Sequence, residues 1–229
     1  MKPKDLKSPF TWAERRPAID NRVLYVPEYY HRHHEYAFPG WSSPEVFGNS
    51  HPVFIEYCAG NGAWIANRAE TNPDVNWVAV EIQFERARKI WSKVKNLNLK
   101  NLFVVCGEAL TFTRYYIPNH SVEGIFVNFP DPWPKEKHAK KRLFQSEFVE
   151  EISRVVKKGG NAILVTDDPT YCGQMSTEMR RHPAWRPSYP DPYYITSWDD
   201  YGTSYFDQLF RQQSRIIHYL QFNNQKSCL

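Results

Sequence analysis

Long apolar runs are missing from this 229-residue chain, and their absence argues against a membrane or secreted protein. A membrane-spanning helix needs about 20 consecutive apolar residues, far more than any run found here. The first residues, MKPKDLKSPFTWAERR, also lack the apolar core of a signal peptide. We therefore expect a cytoplasmic protein that has no membrane partner.

Paired cysteines are missing as well. The four cysteines, at positions 58, 106, 172 and 228, form no C-x-x-C pair and show no zinc-ligand spacing. Free thiols in a reducing compartment are the expected state. The histidine-rich run at 29–34 does not complete a metal-ligand set, so we expect no metal.

Charge of one sign is only in slight excess, with a net charge of +4. This value permits a phosphate-rich partner without requiring one. The length suits one domain with a small appendage, and no internal repeat or low-complexity segment occurs. Residues 1–49 show no lasting periodicity and predict a partly ordered N-terminal arm. Its Arg, His and Tyr residues suit RNA contact, but a solvated tail fits equally well.

What the chain does have is an acidic loop bracketed by prolines and followed by basic residues, IFVNFPDPWPKEKHAKKR over residues 125–142. The apolar residues at its start predict a buried strand. Each of the three prolines fixes its own φ and favours extended backbone before it, so the loop is stiff and displays Asp131 and Trp133. Ligands of open α/β sheets bind beyond the carboxyl ends of strands, although a simple edge turn is an alternative. The basic run favours a polyanionic partner.

From residue 53 onward, short apolar segments alternate with helical patterns. Strands are predicted at 53–57, 77–80, 102–106, 125–128, 162–166 and 215–222, and helices at 63–70, 83–95 and 144–156. Residues 182–203 predict an insertion or a long loop. Such alternation is typical of an α/β fold with a doubly wound, mostly parallel sheet and right-handed crossovers. We expect one such domain over residues 50–229.

Carboxylates follow or end the first three predicted strands. Glu56 lies at the end of the first, just before the turn that contains Gly60 and Gly62. Glu81 ends the second strand, where an acidic residue typically accepts hydrogen bonds from ribose hydroxyls. Glu108 follows the third, where a carboxylate can meet an adenine amino group. Because parallel strands share one carboxyl edge, the three side chains are expected to lie together.

Two cofactors suit this edge. A dinucleotide places its pyrophosphate on the first helix, where acidic residues are unfavourable, and its third fingerprint glycine is missing here. S-adenosylmethionine carries a sulfonium and an ammonium group, which carboxylates stabilise. We favour S-adenosylmethionine, while an ordinary tight turn without a ligand remains the alternative.

On these residues, the chain resembles the bacterial tRNA (guanine(46)-N7)-methyltransferase family of the TrmB type. The segment FPDPWPKEKHAKKRL is similar to the family's F-P-D-P-W-x-K-x-x-H-x-K-R-R motif, and FVEEISRVVKKGG followed by LVTDD is similar to its next helix, turn and strand. The resemblance covers residues 50–222. It implies a Rossmann-like class I S-adenosylmethionine-dependent methyltransferase with a seven-stranded sheet, acting as a monomer or homodimer on tRNA.

The resemblance also implies roles for individual residues. Glu56, Glu81 and Glu108 fall on cofactor-binding positions, together with the turn glycines, and Asp131 falls on the catalytic position beside the cofactor. Lys135 and Asp167 fall on substrate-contact positions. The family's T-K-F-E motif corresponds to Ser204, Tyr205, Phe206 and Asp207, so the lysine is replaced by tyrosine. Cys58 replaces a usual glycine, and Glu108 replaces a usual aspartate.

Other functions remain open from the residues alone. The changes at Cys58 and Tyr205 would suit a catalytically inactive tRNA-binding module. A methyltransferase acting on another nucleobase position or on a protein is a further alternative, although Asn128–Asp131 departs from the Asn/Asp-Pro-Pro-aromatic loop common where amino nitrogens are methylated. A nicotinamide-dependent enzyme is the weakest of these alternatives.

Overall fold

The structure is a computed structural model that describes residues 1–202 and 204–225. Cys228 lies outside the described residues. The chain forms two compact units, Met1–Pro118 and Asn119–Leu229. The predicted boundary between an arm at 1–49 and a domain at 50–229 stays a prediction.

The first unit contains five strands and three helices. They are β1 (Ala18–Asp20), β2 (Val23–Tyr25), β3 (Val53–Tyr57), α1 (Ala63–Thr71), β4 (Asn76–Glu81), α2 (Phe84–Asn96), β5 (Leu102–Cys106) and α3 (Ala109–Tyr116). The strand order is β1-β2-β5-β4-β3. The β1–β2 pair is antiparallel, and the other pairs are parallel.

Burial explains why these segments fold as they do. Every residue of β4 is buried, as expected for a parallel strand covered on both faces. The charged helix α2 buries a stripe formed by Ala87, Ile90, Trp91 and Val94, which recur at helical spacing. The apolar face of α2 therefore packs on the strands. Of its basic side chains, Lys89 is exposed, whereas Arg88 donates to the carbonyl of Pro3 and Lys93 to that of Asn61.

The described residues of the second unit form four strands and three helices. They are β6 (Val122–Asn128), α4 (Ser146–Val155), β7 (Val156–Thr166), α5 (Pro169–Arg181), β8 (Trp185–Pro187), α6 (Tyr205–Gln212) and β9 (His218–Asn224). The strand order is β6-β7-β9-β8, with β6 and β7 parallel and the last two pairs antiparallel. Short 3-10 turns occur at Glu136–Lys141 and Asp199–Tyr201.

The structure confirms the α/β class and corrects the strand count. Nine strands occur in the described residues instead of seven. The three strands that the sequence did not predict, β1, β2 and β8, are each three residues long, too short to show a period-2 pattern. Two of them come from the segment predicted as an arm.

None of the helices in the described ranges is long and apolar enough to cross a bilayer. The same residues contain no cluster of three His, Cys, Asp or Glu side chains that could hold a metal ion.

Candidate active site

The first unit brings the predicted carboxylates to one edge, which we call the carboxylate edge. It consists of Glu56, Glu81, Glu108 and the turn at 58–62. Strands β3, β4 and β5 are parallel neighbours, with Glu56 paired to Ala79 and Glu81 paired to Cys106. Their carboxyl ends therefore meet at the same edge, as the sequence predicts.

Glu81 fixes the backbone of this edge. Its side chain is buried, and its two oxygens accept hydrogen bonds from the backbone N–H groups of Gly60 and Gln83, both at 2.8 Å. Burial raises the pKa of the Glu81 carboxyl, and the two N–H donors oppose that rise. Each oxygen has a second lone pair, so the carboxylate can still accept hydrogen bonds from a ligand.

The turn after β3 is left-handed at three positions. Cys58, Gly60 and Gly62 have φ values of 59°, 57° and 67°. Cys58 therefore adopts the conformation that favours glycine, and the replacement of the family's usual glycine leaves the turn intact. The N–H of Gly62 donates to the carbonyl of Ala59 at 2.8 Å, and α1 begins at the next residue.

Gly62→Ala should destabilise the protein by roughly 2–4 kcal/mol. A Cβ at this position would lie 2.7 Å from Cγ1 of Ile90, and the backbone there is left-handed. The matched control is Gly173→Ala in α5, where an added Cβ meets nothing within 4 Å. The control should gain up to about 1 kcal/mol from helix propensity. Urea denaturation measures both, and equal stabilities would contradict this account of the turn.

The third carboxylate of this edge is Glu108, and Ile82 adds an exposed apolar side chain just after β4. Glu108 occupies the N-cap position of α3 and accepts a hydrogen bond from the hydroxyl of Thr111. Ile82, directly after Glu81, is 51% exposed although its side chain is large and apolar. Ile82 was not among the residues predicted for this site, although its position directly after an acidic strand end was an available signal.

In the second unit, residues 129–134 form the proline loop. Asp131 is exposed, and its Oδ1 accepts a hydrogen bond from the backbone N–H of Trp133 at 3.1 Å. Phe129 and Trp133 have positive φ values of 50° and 41°. The loop displays the Asp131 carboxylate as predicted. The extended backbone expected before each proline is wrong for Phe129 and Trp133, because both have left-handed φ values.

Arg142 has a different place from the one expected for it. It belongs to the basic run that favours a polyanionic partner, but its side chain is buried. Its guanidinium donates to the carbonyl of Pro132 at 2.6 Å and to the side-chain oxygen of Gln174 at 2.5 Å, and it lies over the ring of Tyr171. These contacts use N–H groups of the guanidinium, so Arg142 holds the proline loop in place through the carbonyl of Pro132.

The lysines of the basic run do face solvent. Lys135, Lys137, Lys140 and Lys141 are all exposed. The ammonium of Lys141 lies 4.8 Å from the centre of the Trp133 ring, and His138 packs edge-on against the same ring. Trp133 therefore supports the loop and its basic rim.

The remaining predicted residues of the second unit are held by internal contacts. Asp167 pairs with Arg215, whose guanidinium lies over the ring of Phe210. The substrate role of Asp167 therefore stays a prediction.

The segment that corresponds to T-K-F-E opens α6. Ser204 caps the helix by accepting from the N–H of Asp207 at 3.0 Å. Asp207 is buried and accepts from both Arg211 and Tyr219. Phe206 packs against Phe210 and Phe129, whereas Tyr205 points to solvent. Within this segment, Tyr205 is thus the side chain best placed to meet a ligand.

Comparison with known proteins gives consistent results. A family model described as "Putative methyltransferase" matches residues 50–216. A protein of Chlamydia abortus named tRNA (guanine-N(7)-)-methyltransferase is 48% identical over 97% of both chains. A protein of the same name from Rubrobacter xylanophilus is 32% identical over 81% of this chain and 82% of its own.

Solved structures share the fold. The 16S rRNA methyltransferase KamB superposes with a TM-score of 0.58 at 16% identity, covering 78% of this chain and 90% of that chain. TrmN from Thermus thermophilus gives 0.55 at 13% identity, covering 76% of this chain and 45% of that one. At these identities the neighbours support the predicted Rossmann-like fold alone.

Proposed function

The chain belongs to the tRNA (guanine-N(7)-)-methyltransferase family, and from this premise we propose that it methylates N7 of guanosine 46 in the variable loop of tRNA. The observation that carries the proposal is the carboxylate edge, where buried Glu81 holds the glycine turn and keeps free acceptor capacity. Membership of the family is the reason to propose guanine N7 as the methyl acceptor, and the carboxylate edge is the proposed binding site of the methyl donor.

The residues of the carboxylate edge fit S-adenosylmethionine. Glu81 would accept hydrogen bonds from the ribose hydroxyls, and Glu56 would stabilise the positively charged methionine end. Glu108 would meet the adenine amino group, and exposed Ile82 would cover a face of the adenine. The backbone of Gly60 and Gly62 allows close approach of the ligand. When bound, S-adenosylmethionine supplies an electrophilic methyl group on a sulfonium.

In this reaction the main task of the protein is to align guanine N7 with the methyl group of the donor. Guanine N7 carries an unprotonated lone pair at neutral pH, so no base has to remove a proton before transfer. Asp131 would accept hydrogen bonds from guanine N1 and N2 and stabilise the positive charge that grows on the ring. It is also the proposed neighbour of the cofactor. The guanine is expected to be flipped out, because a stacked base is not accessible to the donor.

The tRNA backbone would contact the exposed lysines around the proline loop. Lys135, Lys140 and Lys141 carry their charge into solvent and can meet phosphates as point charges. Exposed Tyr205 could stack on a base, while Phe206, Ser204 and Asp207 order the helix that presents it. We also propose direct substrate contacts for Asp167, Ser204, Phe206 and Asp207.

One assay tests the proposed function. The protein is incubated with unmodified tRNA and methyl-labelled S-adenosylmethionine, and the product is cleaved with aniline after reduction. We expect label incorporation and cleavage at guanosine 46, and neither in a transcript with adenosine at that position. Label without cleavage there would assign the methyl group to a different atom or nucleotide.

Charge reversal at Lys140 and Lys141 should weaken tRNA binding and reduce its salt dependence. Two lost phosphate contacts should lower the slope of log affinity against log salt concentration by roughly 1.5. Reversal of two exposed lysines elsewhere, Lys100 and Lys158, is the matched control and should leave the slope unchanged. Equal slopes in the two double variants would place the basic run outside the tRNA-binding surface.

The same proposal covers location and assembly. An enzyme that modifies tRNA would work in the cytoplasm, as a monomer or homodimer, and the proposed methyl transfer needs no metal ion.

A further inference from the structure

An exposed pair of aromatic rings lies in the N-terminal segment, on residues that have no role in the site described above. Tyr29 is 69% exposed and Trp12 is 63% exposed, more than any other aromatic side chain in residues 1–202 and 204–225. Their ring centres are 6.0 Å apart with an interplanar angle of 64°. We call this pair the Trp12–Tyr29 platform.

Arg15 holds the platform in place. Its guanidinium donates to the carbonyl of Trp12 at 2.7 Å and to the carbonyls of Glu28 and Tyr29, both at 3.1 Å. The same group lies 4.3 Å from the centre of the Trp12 ring. Because its donors contact both stretches of chain, Arg15 fixes the two rings relative to each other, and its charge covers one face of Trp12.

Backbone strain at Tyr29 indicates that the display of its ring is imposed. Tyr29 has a φ of 53°, a left-handed conformation that costs a bulky residue roughly 1–2 kcal/mol. The hydrogen bond from Arg15 to the Tyr29 carbonyl helps to hold this conformation. Local backbone contacts thus hold the Tyr29 ring in one place in solvent.

The surroundings of the platform favour a nucleic acid as its partner. Residues 1–34 contain seven Lys and Arg residues against four Asp and Glu residues. Arg16, His31 and Arg32 are exposed near the platform in sequence, although Arg32 pairs with Glu35, and Glu14 and Glu28 are also exposed. Exposed aromatic rings with arginine and histidine side chains nearby are typical of sites that stack unpaired bases next to phosphates.

We propose that the Trp12–Tyr29 platform stacks one unpaired base of the substrate tRNA, at a nucleotide other than the methylated guanosine. The proposal rests on the proposed function, since that function makes tRNA the ligand. The open face of Trp12 contacts the base, with Arg15 behind the ring. The platform adds affinity and takes no part in the transfer step.

Trp12→Ala tests the proposal directly. Loss of one base stack is expected to raise the dissociation constant for unmodified tRNA roughly 5- to 100-fold. The salt slope should stay unchanged, because no phosphate contact is removed. Trp12→Phe keeps a ring and should bind within about threefold of the parent protein. The control Leu97→Ala removes an exposed apolar side chain elsewhere and should bind like the parent.

A second variant, Tyr29→Gly, separates loss of the ring from loss of stability. Glycine adopts a φ of 53° without strain, so the variant should melt at or above the temperature of the parent protein while binding tRNA more weakly. Affinity for S-adenosylmethionine and kcat at saturating tRNA should stay unchanged in both ring-loss variants. Their defect should therefore appear in KM for tRNA.

Three results would overturn the proposal. Trp12→Ala could bind tRNA within twofold of the parent, it could lower kcat at saturating tRNA, or it could dissociate a dimer in sedimentation, which would assign the rings to a protein interface. Failure of the proposed function is distinguishable: aniline cleavage at guanosine 46 would then be absent in the parent protein, whatever the platform variants do to binding.

Discussion

Asp131→Asn should lower kcat for tRNA methylation by about 100-fold or more, while affinity for S-adenosylmethionine changes little. The amide keeps an oxygen that can accept the hydrogen bond from the Trp133 N–H, so the loop should retain its shape. It loses the negative charge, and its NH₂ group opposes the donors on guanine N1 and N2. Asp131→Ala removes both features and should be at least as inactive.

Single-turnover rates with saturating tRNA measure this effect separately from binding. Asp74→Ala, which alters an exposed aspartate just before β4, is the matched control and should react like the parent protein. Parental turnover in Asp131→Asn would remove Asp131 from the reaction. An effect confined to the dissociation constant for S-adenosylmethionine would make it a cofactor ligand only.

Glu81→Ala should weaken S-adenosylmethionine binding by at least about tenfold, since hydrogen bonds to a charged group contribute roughly 1.5–3 kcal/mol each. The variant should also be less stable, because the N–H groups of Gly60 and Gln83 lose their acceptor. Calorimetric titration with S-adenosylhomocysteine measures the first effect, and thermal unfolding without ligand measures the second.

The control for Glu81 is Glu70→Ala, which alters an exposed carboxylate on α1. It should bind the ligand like the parent protein. A Glu81→Ala protein that unfolds at a lower temperature but binds with parental affinity would restrict Glu81 to the structural role that its two N–H contacts describe.

The sequence predicted the elements that carry the carboxylate edge with good accuracy. The bounds of β3 and β5 agree with the predicted 53–57 and 102–106. Four of the five residues of VFIEY and all five of LFVVC are apolar, and each segment is followed by a glycine within three residues. Helices α3, α5 and α6 were not predicted. Helices α3 and α6 are only eight residues long, about two turns, so few positions show the helical repeat. The buried stripe of α5 includes Cys172 and Ser176 among its apolar residues, which weakens its pattern in the sequence.

Arg142 shows why part of the site could not be predicted. A run of five basic residues within eight positions indicates a charged surface, and four of them are exposed as expected. The fifth turns inward at the end of the 3-10 turn and meets Gln174, which lies 32 residues further along the chain. Such a contact depends on where α5 packs. The Asp207–Arg211 pair, in contrast, follows the i, i+4 spacing and was available from the sequence.

Two residues, Cys58 and Tyr205, would suit a catalytically inactive tRNA-binding module, and the structure removes the argument from Cys58. Cys58 takes up the left-handed conformation that its glycine counterpart would adopt, so its presence leaves the turn in place. The other support, tyrosine in place of lysine at 205, is a change at an exposed position and alters what the surface offers to RNA.

Strand β2 has a consequence for any shortened form of the protein. Its residues pair in parallel with β5, and the N–H of Val26 donates to the carbonyl of Cys106 at 2.9 Å. Val26 also fits so closely over Gly107 that a methyl group there would lie 2.5 Å from its Cβ. A chain trimmed to begin at residue 50 would leave the hydrogen-bonding groups of β5 bare along one side. An uncovered strand of that kind invites pairing between molecules, so the trimmed protein would be prone to aggregation.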